Sequence, residues 1–341
     1  MQNETIVDYE CSSAIPRGAA IYGFIWSLLV IAIGIPGNLL TVIALVRCAP
    51  KLLKHATTKF VINLAIADLI FCTFNLPMTS IRFLTCSWPF GDILCQLYPF
   101  FFYGNVAVSL MTITCITIDR LIMIAFQDYY KKIYKPSIIW MMIVFCWLFS
   151  FGLMSLPLFR MWGRMGLDND TFSCTILKEN GCSPKKFLFL IGFLIPCLAI
   201  GVCYAIIWRK VRLQANNSLA ANRKTSQRDI KLTKLIVVIF FVFLLCFAPN
   251  LVSNVLLTKK RQAFPMLKLL KIETIANRLP YLQVTASALS WFNACVNPLI
   301  YFLMNRQYRN AFQRLLKPTF ASIVTSSMRS NAYNESTISS S

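Results

Sequence analysis

Three charged side chains stand within long apolar stretches of the chain. Asp119 and Arg120 are adjacent in the segment CITIDRLIMIAF, and Asp68 ends the segment NLAIAD. An ionised group in an apolar environment costs free energy unless it is paired, hydrogen-bonded or bound to a counter-ion. An adjacent acid and base can neutralise each other locally, whereas an isolated acid needs a cation, a proton or hydrogen-bond donors. These residues therefore have either a function or a route to water.

The elements that hold these charges are predicted to be membrane-spanning helices. The 341 residues are 57% hydrophobic and only 14% charged, whereas soluble domains are about a quarter charged. About 20 apolar residues cross a bilayer core as a helix. Apart from Asp68, seven stretches of at least this length lack Lys, Arg, Asp and Glu: 21–46, 60–81, 93–118, 136–159, 187–208, 235–258 and 279–305. We therefore expect an all-α membrane protein, a seven-transmembrane helix bundle with a short amphipathic eighth helix.

Helix length predicts how deep the Asp-Arg pair lies. From Ile93, where the third stretch begins, to Asp119 a helix would extend about 39 Å. This length exceeds the roughly 30 Å of a bilayer core. The pair is therefore expected at one mouth of the bundle, while Asp68 is expected inside it.

Loop composition predicts the orientation of the chain. More Lys and Arg lie in the set of loops that contains 119–135 and 209–234 than in the opposite set, which marks the first set as cytoplasmic. Disulfide-forming cysteines belong on the oxidising, outer face of the membrane. Five cysteines lie on the side away from the cytoplasmic loops: Cys11, Cys86, Cys95, Cys174 and Cys182. Glycosylation sequences begin at Asn3 and Asn169 on that side. A plasma-membrane protein with an extracellular N-terminus and a cytoplasmic C-terminus is expected.

The chain divides by composition into four parts. Residues 1–20 are polar and acidic and lack the pattern of a cleaved signal peptide, and 21–304 hold the seven spans. Residues 305–317 alternate apolar and basic side chains, as interfacial helices do. The Ser/Thr-rich tail 318–341 is expected to be disordered.

Each predicted span also carries a residue or short motif that stands out from its apolar pattern, and the order of these features is informative. They are Gly37–Asn38, NLAIAD, Asp119–Arg120, Trp147, Pro196, CFAP at 246–249 and NPLIY at 297–301. In this order and spacing the chain resembles the rhodopsin-like (class A) G-protein-coupled receptors over about residues 20–317. Within that class, WGRMGLDNDTFSCTILKENG and KKFLFLIGFLIPCL resemble an insect subfamily involved in cell migration and barrier formation.

The resemblance implies an activation switch at the cytoplasmic face. Asp229 would hold Arg120 at rest, and an outward swing of the sixth helix would release Arg120 to the G protein. Two positions depart from the family pattern, Leu121 in place of Tyr and Phe247 in place of Trp. The residues matched to the switch are Asp119, Arg120, Tyr204, Asp229, Phe247, Pro249, Asn297, Pro298 and Tyr301.

A polar core near Asp68 is also implied by the resemblance. The matched residues are Asn38, Asp68, Ser109, Asn293 and Asn297. An ionised Asp68 would bind a sodium ion there, and a protonated, hydrogen-bonded Asp68 is the alternative. No other cofactor is expected.

The resemblance further implies a disulfide between Cys95, at the start of the third helix, and Cys174 in the second outer loop. The pairing of the other three outer cysteines stays open. Among them, Cys11 and Cys182 are the favoured pair.

Two positions narrow the class of ligand that the resemblance allows. Phe102 stands where amine receptors have an Asp, which argues against a biogenic amine, and Trp291 stands where opsins have the retinal-binding Lys. An aromatic interior under a basic rim favours an anionic amphiphile such as a lysophospholipid, or an acidic peptide. Basic side chains that only snorkel to headgroups are an equal alternative, and a melatonin-like indole is a third ligand class. The rim candidates are Arg82, Lys185, Lys186, Lys268, Lys271 and Arg278, and the other candidate contacts are Phe102, Asn250, Asn254, Ser287 and Trp291.

The expected partners are an extracellular ligand, a heterotrimeric G protein, a receptor kinase, arrestin and membrane lipids. No nucleic-acid partner is expected, because cytoplasmic loops beside anionic lipid account for most of the +21 net charge. An enzyme is not expected either, since seven-helix zinc hydrolases need several His ligands and the one histidine is His55. A membrane transporter is the alternative from another class, although the sequence shows no internal repeat.

Overall fold

The computed structural model describes residues 11, 15–169, 171–216, 231–251 and 273–316. Several residues singled out in the sequence lie outside these ranges: Asn3, Asp229, Asn254, Lys268, Lys271 and the tail 318–341. The side chain of Arg278 also lies outside the description.

Long helices make up most of the described chain. Six of them are long and apolar enough to cross a membrane: α1 (Arg17–Cys48), α2 (Ala56–Thr85), α3 (Gly91–Ala125), α4 (Pro136–Leu158), α5 (Lys185–Leu213) and α6 (Lys231–Leu251). A seventh long helix, α7 (Glu273–Met304), is more polar because it carries Asn293 and Asn297. After a break at Asn305, a short helix α8 covers 306–316.

The third helix is the central element of the bundle. It packs against α2, α4 and α5, while α1 packs along α2 and α7. In the most apolar 18-residue window of α3, 72% of the residues are buried, against 28% in α4 and 22% in α5. The outer faces of the peripheral helices expose large apolar side chains such as Leu148, Leu198 and Leu245. This pattern suits a bundle whose solvent is lipid.

Two helices contain a widened turn that is followed by a proline within the same helix. A π-helical turn at Phe71–Asn75 precedes Pro77 in α2, and another at Leu190–Leu194 precedes Pro196 in α5. Proline has no N–H to donate to the carbonyl one turn earlier, so the regular hydrogen-bond ladder is interrupted there. In α2 the widened turn separates Asp68 from the last two turns of the helix.

A β-hairpin lies between α4 and α5 and covers one end of the bundle, which we call the hairpin end. Its strands are β1 (Arg164–Asp168) and β2 (Ser173–Leu177), antiparallel, with Met165 opposite Ile176. Both of these side chains are buried, so one face of the hairpin packs on the helices. The sequence predicted only an outer loop here.

The two disulfides settle the cysteine pairing at this end. Cys95 of α3 is bonded to Cys174 of β2, as predicted. The favoured Cys11–Cys182 pair is wrong, because Cys11 is bonded to Cys86 and Cys182 is exposed without a disulfide.

The structure explains why Cys11 is bonded to Cys86. Cys86 ends α2 in the left-handed backbone conformation, with φ at 50°. Its Cα lies 5.0 Å from that of Cys11, within the range that a disulfide can bridge. Arg17, at the start of α1, donates to the Leu84 carbonyl at 2.8 Å. The first residues of α1 are therefore held on the end of α2.

Peptide mapping of the unreduced protein is expected to recover a Cys11–Cys86 link and a Cys95–Cys174 link. A polar maleimide should label the exposed Cys182 in the folded protein. In the Cys86→Ser variant, Cys11 loses its partner and should be labelled as well. A Cys11–Cys182 peptide in the digest would contradict this pairing.

Candidate functional site

Asp119 and Arg120 lie buried near the end of α3 that is opposite the hairpin, which we call the Arg120 end. The two residues are only 0% and 2% exposed, and their side chains form an ion pair. Arg120 Nε also donates to Asp119 Oδ2 at 2.9 Å. The pair therefore lies at a mouth of the bundle, where helix length predicted it, but it is shielded from solvent.

Two residues from other elements complete this network. The Thr57 hydroxyl, on α2, donates to Asp119 Oδ2 at 2.8 Å and accepts from Arg120 Nη2 at 2.6 Å. The Tyr130 hydroxyl, on the short helix Gln127–Ile133 that follows α3, donates to Asp119 Oδ1 at 2.9 Å. Sequence reasoning missed both residues. Their segments, HATTKF and QDYYKK, carry no signal that points to α3.

Beside Arg120 the bundle encloses a cavity of about 210 Å³. Its walls come from α2, α3, α6, α8 and the connections next to them. The lining residues are Leu52, His55, Thr57, Thr58, Arg120, Met123, Leu232, Asn305, Gln307 and Tyr308. Arg120 is the one charged residue among the described lining residues, so a partner entering the cavity would meet its guanidinium.

All five residues of the predicted polar core are buried, and one of them contacts Asp68 directly. Asp68 is buried, and its Oδ2 accepts a hydrogen bond from Asn297 Nδ2 of α7 at 2.9 Å. Asn38 of α1 donates to the Ala294 carbonyl of α7 at 2.7 Å. Ser109 and Asn293 are buried as well. These bonds join α1, α2 and α7 at one level.

Asn105 is a further candidate member of the polar core. It lies one helical turn from Ser109 on α3, and both polar atoms of its buried amide lack a partner among the described residues. An unpaired buried amide is costly, so a bound group is expected there. Carboxylate, amide and hydroxyl oxygens suit a hard cation. These residue types therefore fit a sodium ion, one of the two alternatives that the sequence leaves open for Asp68.

Trp147 has a clear structural role. Its indole Nε1 donates to Asn63 Oδ1 at 2.8 Å, and Asn63 Nδ2 donates to the Thr112 hydroxyl at 2.8 Å. The chain of bonds crosses from α4 through α2 to α3. It joins three helices next to the level of Asp68.

The remaining matched switch residues lie between the polar core and the Arg120 end or on α6. Phe247 packs on Phe243, with ring centroids 4.5 Å apart. Tyr301 is fully buried against Tyr308 of α8. Tyr204 lies in α5 with its hydroxyl buried, and Pro249 lies in α6.

Pro298 explains the neighbouring Gly-Asn motif of α1. A Cβ at Gly37 would lie 3.3 Å from Pro298 Cγ. A glycine at this position therefore lets α1 approach α7 closely.

The hairpin end contains the ligand-contact candidates, in different environments. Phe102 packs on Phe71 and Tyr98, with centroids 5.4 and 5.9 Å apart. Trp291 is only 2% exposed and meets Phe83 edge-on. Asn250 and Ser287 are half-buried. These residues form an aromatic interior with few polar groups.

The predicted basic rim divides into exposed and buried members. Lys185 and Lys186 are exposed at the start of α5, whereas Arg82 is buried. Asn169, a predicted glycosylation site, is exposed in the hairpin turn. Its modification stays a prediction.

Comparison with known proteins identifies the family. The family described as "7 transmembrane receptor (rhodopsin family)" matches residues 37–301. The chain belongs to this family. It is therefore a G-protein-coupled receptor and not an enzyme, as the motifs predicted.

Individual relatives agree with this assignment. The receptor is 40% identical to Protein trapped in endoderm-1 of Drosophila melanogaster, over 89% of this chain and 79% of that protein. It is 31% identical to G-protein coupled receptor moody of the same species, over 92% of this chain and 53% of moody, so it spans about half of moody's length. Melatonin receptor type 1B of Rattus norvegicus is 28% identical over 84% of this chain and 75% of that receptor. The predicted insect subfamily is thus confirmed.

A solved structure confirms the fold class. Squid rhodopsin matches with a TM-score of 0.73 at 23% identity, over 88% of this chain and 81% of that chain. The likeness covers the bundle and confirms a seven-transmembrane fold.

Replacing Thr57 by Val is expected to destabilise the receptor. The change removes one hydrogen bond to Asp119 and one from Arg120, and bonds to charged groups contribute about 1.5–3 kcal/mol each. The melting temperature of the detergent-solubilised variant should fall by several degrees. Thr73→Val is the matched control, because the Thr73 hydroxyl is exposed and bonds only within its own helix. Equal melting temperatures for the two variants would contradict the network.

Proposed function

We propose that the Arg120 end of the bundle is the cytoplasmic face and that a heterotrimeric G protein binds there. The hairpin end is then extracellular, together with the N-terminus, and the receptor resides in the plasma membrane. The observation that supports this proposal most directly is the buried Asp119–Arg120 pair beside a cavity. A charged pair that faces a cavity can change partners when another chain enters.

The resting state is held by the contacts of Arg120. The guanidinium contacts Asp119 and Thr57, and each bond to a charged group contributes about 1.5–3 kcal/mol. A shift from 1:99 to 99:1 between two states takes about 5.5 kcal/mol of differential binding. Loss of two or three such bonds is therefore of the size that ligand and G protein together can offset.

In the active state, Arg120 would leave Asp119 and meet the G protein. The Tyr301 hydroxyl is buried with no hydrogen-bond partner among the described residues, and the buried Tyr204 hydroxyl lies near Thr117 of α3, so both can form new contacts when the helices move. The proposed clasp to Asp229 would add an α6 contact to the resting state. Asp229 lies outside the described residues.

Asp68 is proposed to bind sodium in the resting state. Its bond to Asn297 joins α2 to the NPLIY segment of α7. A cation shared by Asp68 and Ser109 would hold α2, α3 and α7 at one spacing. Ion release would then accompany the rearrangement of α7.

The ligand is proposed to be an anionic amphiphile of the lysophospholipid type. The aromatic interior around Phe102 and the basic residues at the hairpin end support this class. A melatonin-like indole is the second candidate, because a melatonin receptor is among the relatives. An acidic peptide is the third.

Regulation by a receptor kinase and arrestin, and the cellular context, are proposed by analogy with the family. The Ser/Thr-rich tail offers phosphorylation sites for a receptor kinase, and phosphate charge there would recruit arrestin. The insect relatives support a role in migrating or barrier-forming cells.

Arg120→Ala is expected to abolish G-protein activation, and Asp119→Asn to raise the basal level several-fold. The first change removes the group that meets the G protein, and the second weakens its resting partner. The measurement is G-protein dissociation in transfected cells, with surface expression matched, across lysophosphatidate, an indole and an acidic peptide. Asp92→Asn, which alters an exposed acid at the opposite end of α3, should leave the basal level unchanged. A full response in Arg120→Ala would exclude this mechanism.

Sodium is expected to stabilise the receptor through Asp68. The melting temperature of purified receptor should rise when choline chloride is replaced by sodium chloride at equal ionic strength. The Asp68→Asn variant should show no such difference, because the amide removes the charge that binds the cation. A sodium effect of unchanged size in Asp68→Asn would place the ion elsewhere.

A further inference from the structure

Arg82 is a buried cation near the hairpin end of α2. It is 7% exposed and lies between the widened turn of α2 and Cys86. The other described members of the basic rim, Lys185 and Lys186, are exposed. A charged group removed from solvent needs a partner of opposite charge or several hydrogen bonds. Arg82 therefore differs in kind from the snorkelling lysines.

The guanidinium of Arg82 has few partners within the protein. Its Nη1 donates to the Thr171 carbonyl of the hairpin turn at 3.0 Å, and the guanidinium is also within hydrogen-bonding reach of the Tyr98 hydroxyl. One face covers the ring of Phe83 at 4.1 Å. Its Nε is buried without a hydrogen-bond partner. An arginine has five N–H donors, and the one on Nε at least is left for another group.

Arg120 is a second buried arginine, and its charge is neutralised. It forms an ion pair with Asp119. Among the described residues no salt bridge is formed by Arg82, and Asp92, Asp168 and Glu179 of the same end do not pair with it. No carboxylate among the described residues therefore compensates the positive charge of Arg82. This is the arrangement expected of a residue whose counter-ion arrives with a ligand.

The surroundings of Arg82 are aromatic. Phe83 meets Trp291 at 5.9 Å, and Tyr98 leads through Phe102 to the interior. A guanidinium binds carboxylate or phosphate through paired hydrogen bonds, and aromatic side chains supply apolar surface for a hydrocarbon chain. A group that can bind an anion and an apolar surface that can bind a hydrocarbon chain therefore lie side by side.

We propose that Arg82 binds the phosphate or carboxylate headgroup of an amphiphilic ligand, whose apolar chain lies against Phe102 and Trp291. The inference rests on the proposed function in that it names the anion-binding residue of the same ligand site. It also assigns the exposed lysines a minor role. The adjacent aromatic wall favours a lipid over an acidic peptide.

Direct binding to purified receptor in neutral-lipid nanodiscs tests the proposal. The probes are radiolabelled 1-oleoyl lysophosphatidate and its uncharged analogue monooleoylglycerol, with inorganic phosphate, oleate and hexaglutamate as competitors. Arg82→Gln keeps a donor for the Thr171 carbonyl but removes the charge. It should weaken lysophosphatidate binding about 10- to 100-fold and leave monooleoylglycerol unchanged. The affinity of Arg82→Lys for lysophosphatidate should lie between those of Arg82→Gln and wild type. The control, the double variant Lys185→Gln, Lys186→Gln, should change this affinity less than about threefold.

The outcomes separate the inference from the proposed function, because the binding assay contains no G protein. Competition by oleate but not by phosphate supports a site for an amphiphile. Unchanged affinity in Arg82→Gln, no saturable lysophosphatidate binding to wild type, or binding of hexaglutamate in its place would each overturn the inference. Charge-dependent binding at Arg82 without G-protein activation would support the inference and reject the proposed function. If Arg82→Lys binds more weakly but keeps the wild-type melting temperature, misfolding does not explain the loss of binding.

Discussion

The buried ion pair of Asp119 and Arg120 is the interaction on which the Arg120 end of the receptor depends. Breaking a buried pair by removing one partner costs about 3–5 kcal/mol, because the remaining charge is left without compensation. Thr57 and Tyr130 fill the other hydrogen-bonding directions of the carboxylate. One belongs to α2 and the other to the helix after α3. Both elements are therefore tied to α3 through one carboxylate.

Hydrogen bonds between helices determine the arrangement of the rest of the bundle. Lipid is as apolar as a leucine side chain, so apolar surface alone does not select which helices meet. Asn38 joins α1 to α7, Asn297 joins α7 to Asp68 of α2, and Trp147 joins α4 to α2. Each of these polar groups would be unpaired against hydrocarbon. The residues that interrupt the apolar pattern in the sequence are thus the ones that specify the packing.

The sequence predicted the fold well because membrane spans are set by length and apolarity, which are local properties. It predicted the depth of Asp119 for the same reason, since helix rise is constant. The sequence could not predict the disulfide partner of Cys11, because disulfide pairing depends on distances between Cα atoms of separate elements. Thr57 and Tyr130 were missed because hydroxyl residues are common in such segments. Their role appears only when α2 and the loop helix lie against α3.

The two buried arginines of the described chain are used in opposite ways, and α2 connects them. Arg120 is neutralised by its sequence neighbour, so its charge is available only when the pair opens. Arg82 has no carboxylate partner among the described residues and its Nε is unbonded there, so we infer that its charge is available to a ligand in the resting state. The same helix carries Arg82, Asp68 and Thr57, which contact the hairpin, α7 and the Asp119–Arg120 pair respectively. A ligand that changes the position of α2 through Arg82 therefore acts on the helix that holds Arg120 closed, with the polar core between them. A helix that makes polar contacts at all three levels is a physical route by which binding at one end can bias the switch at the other.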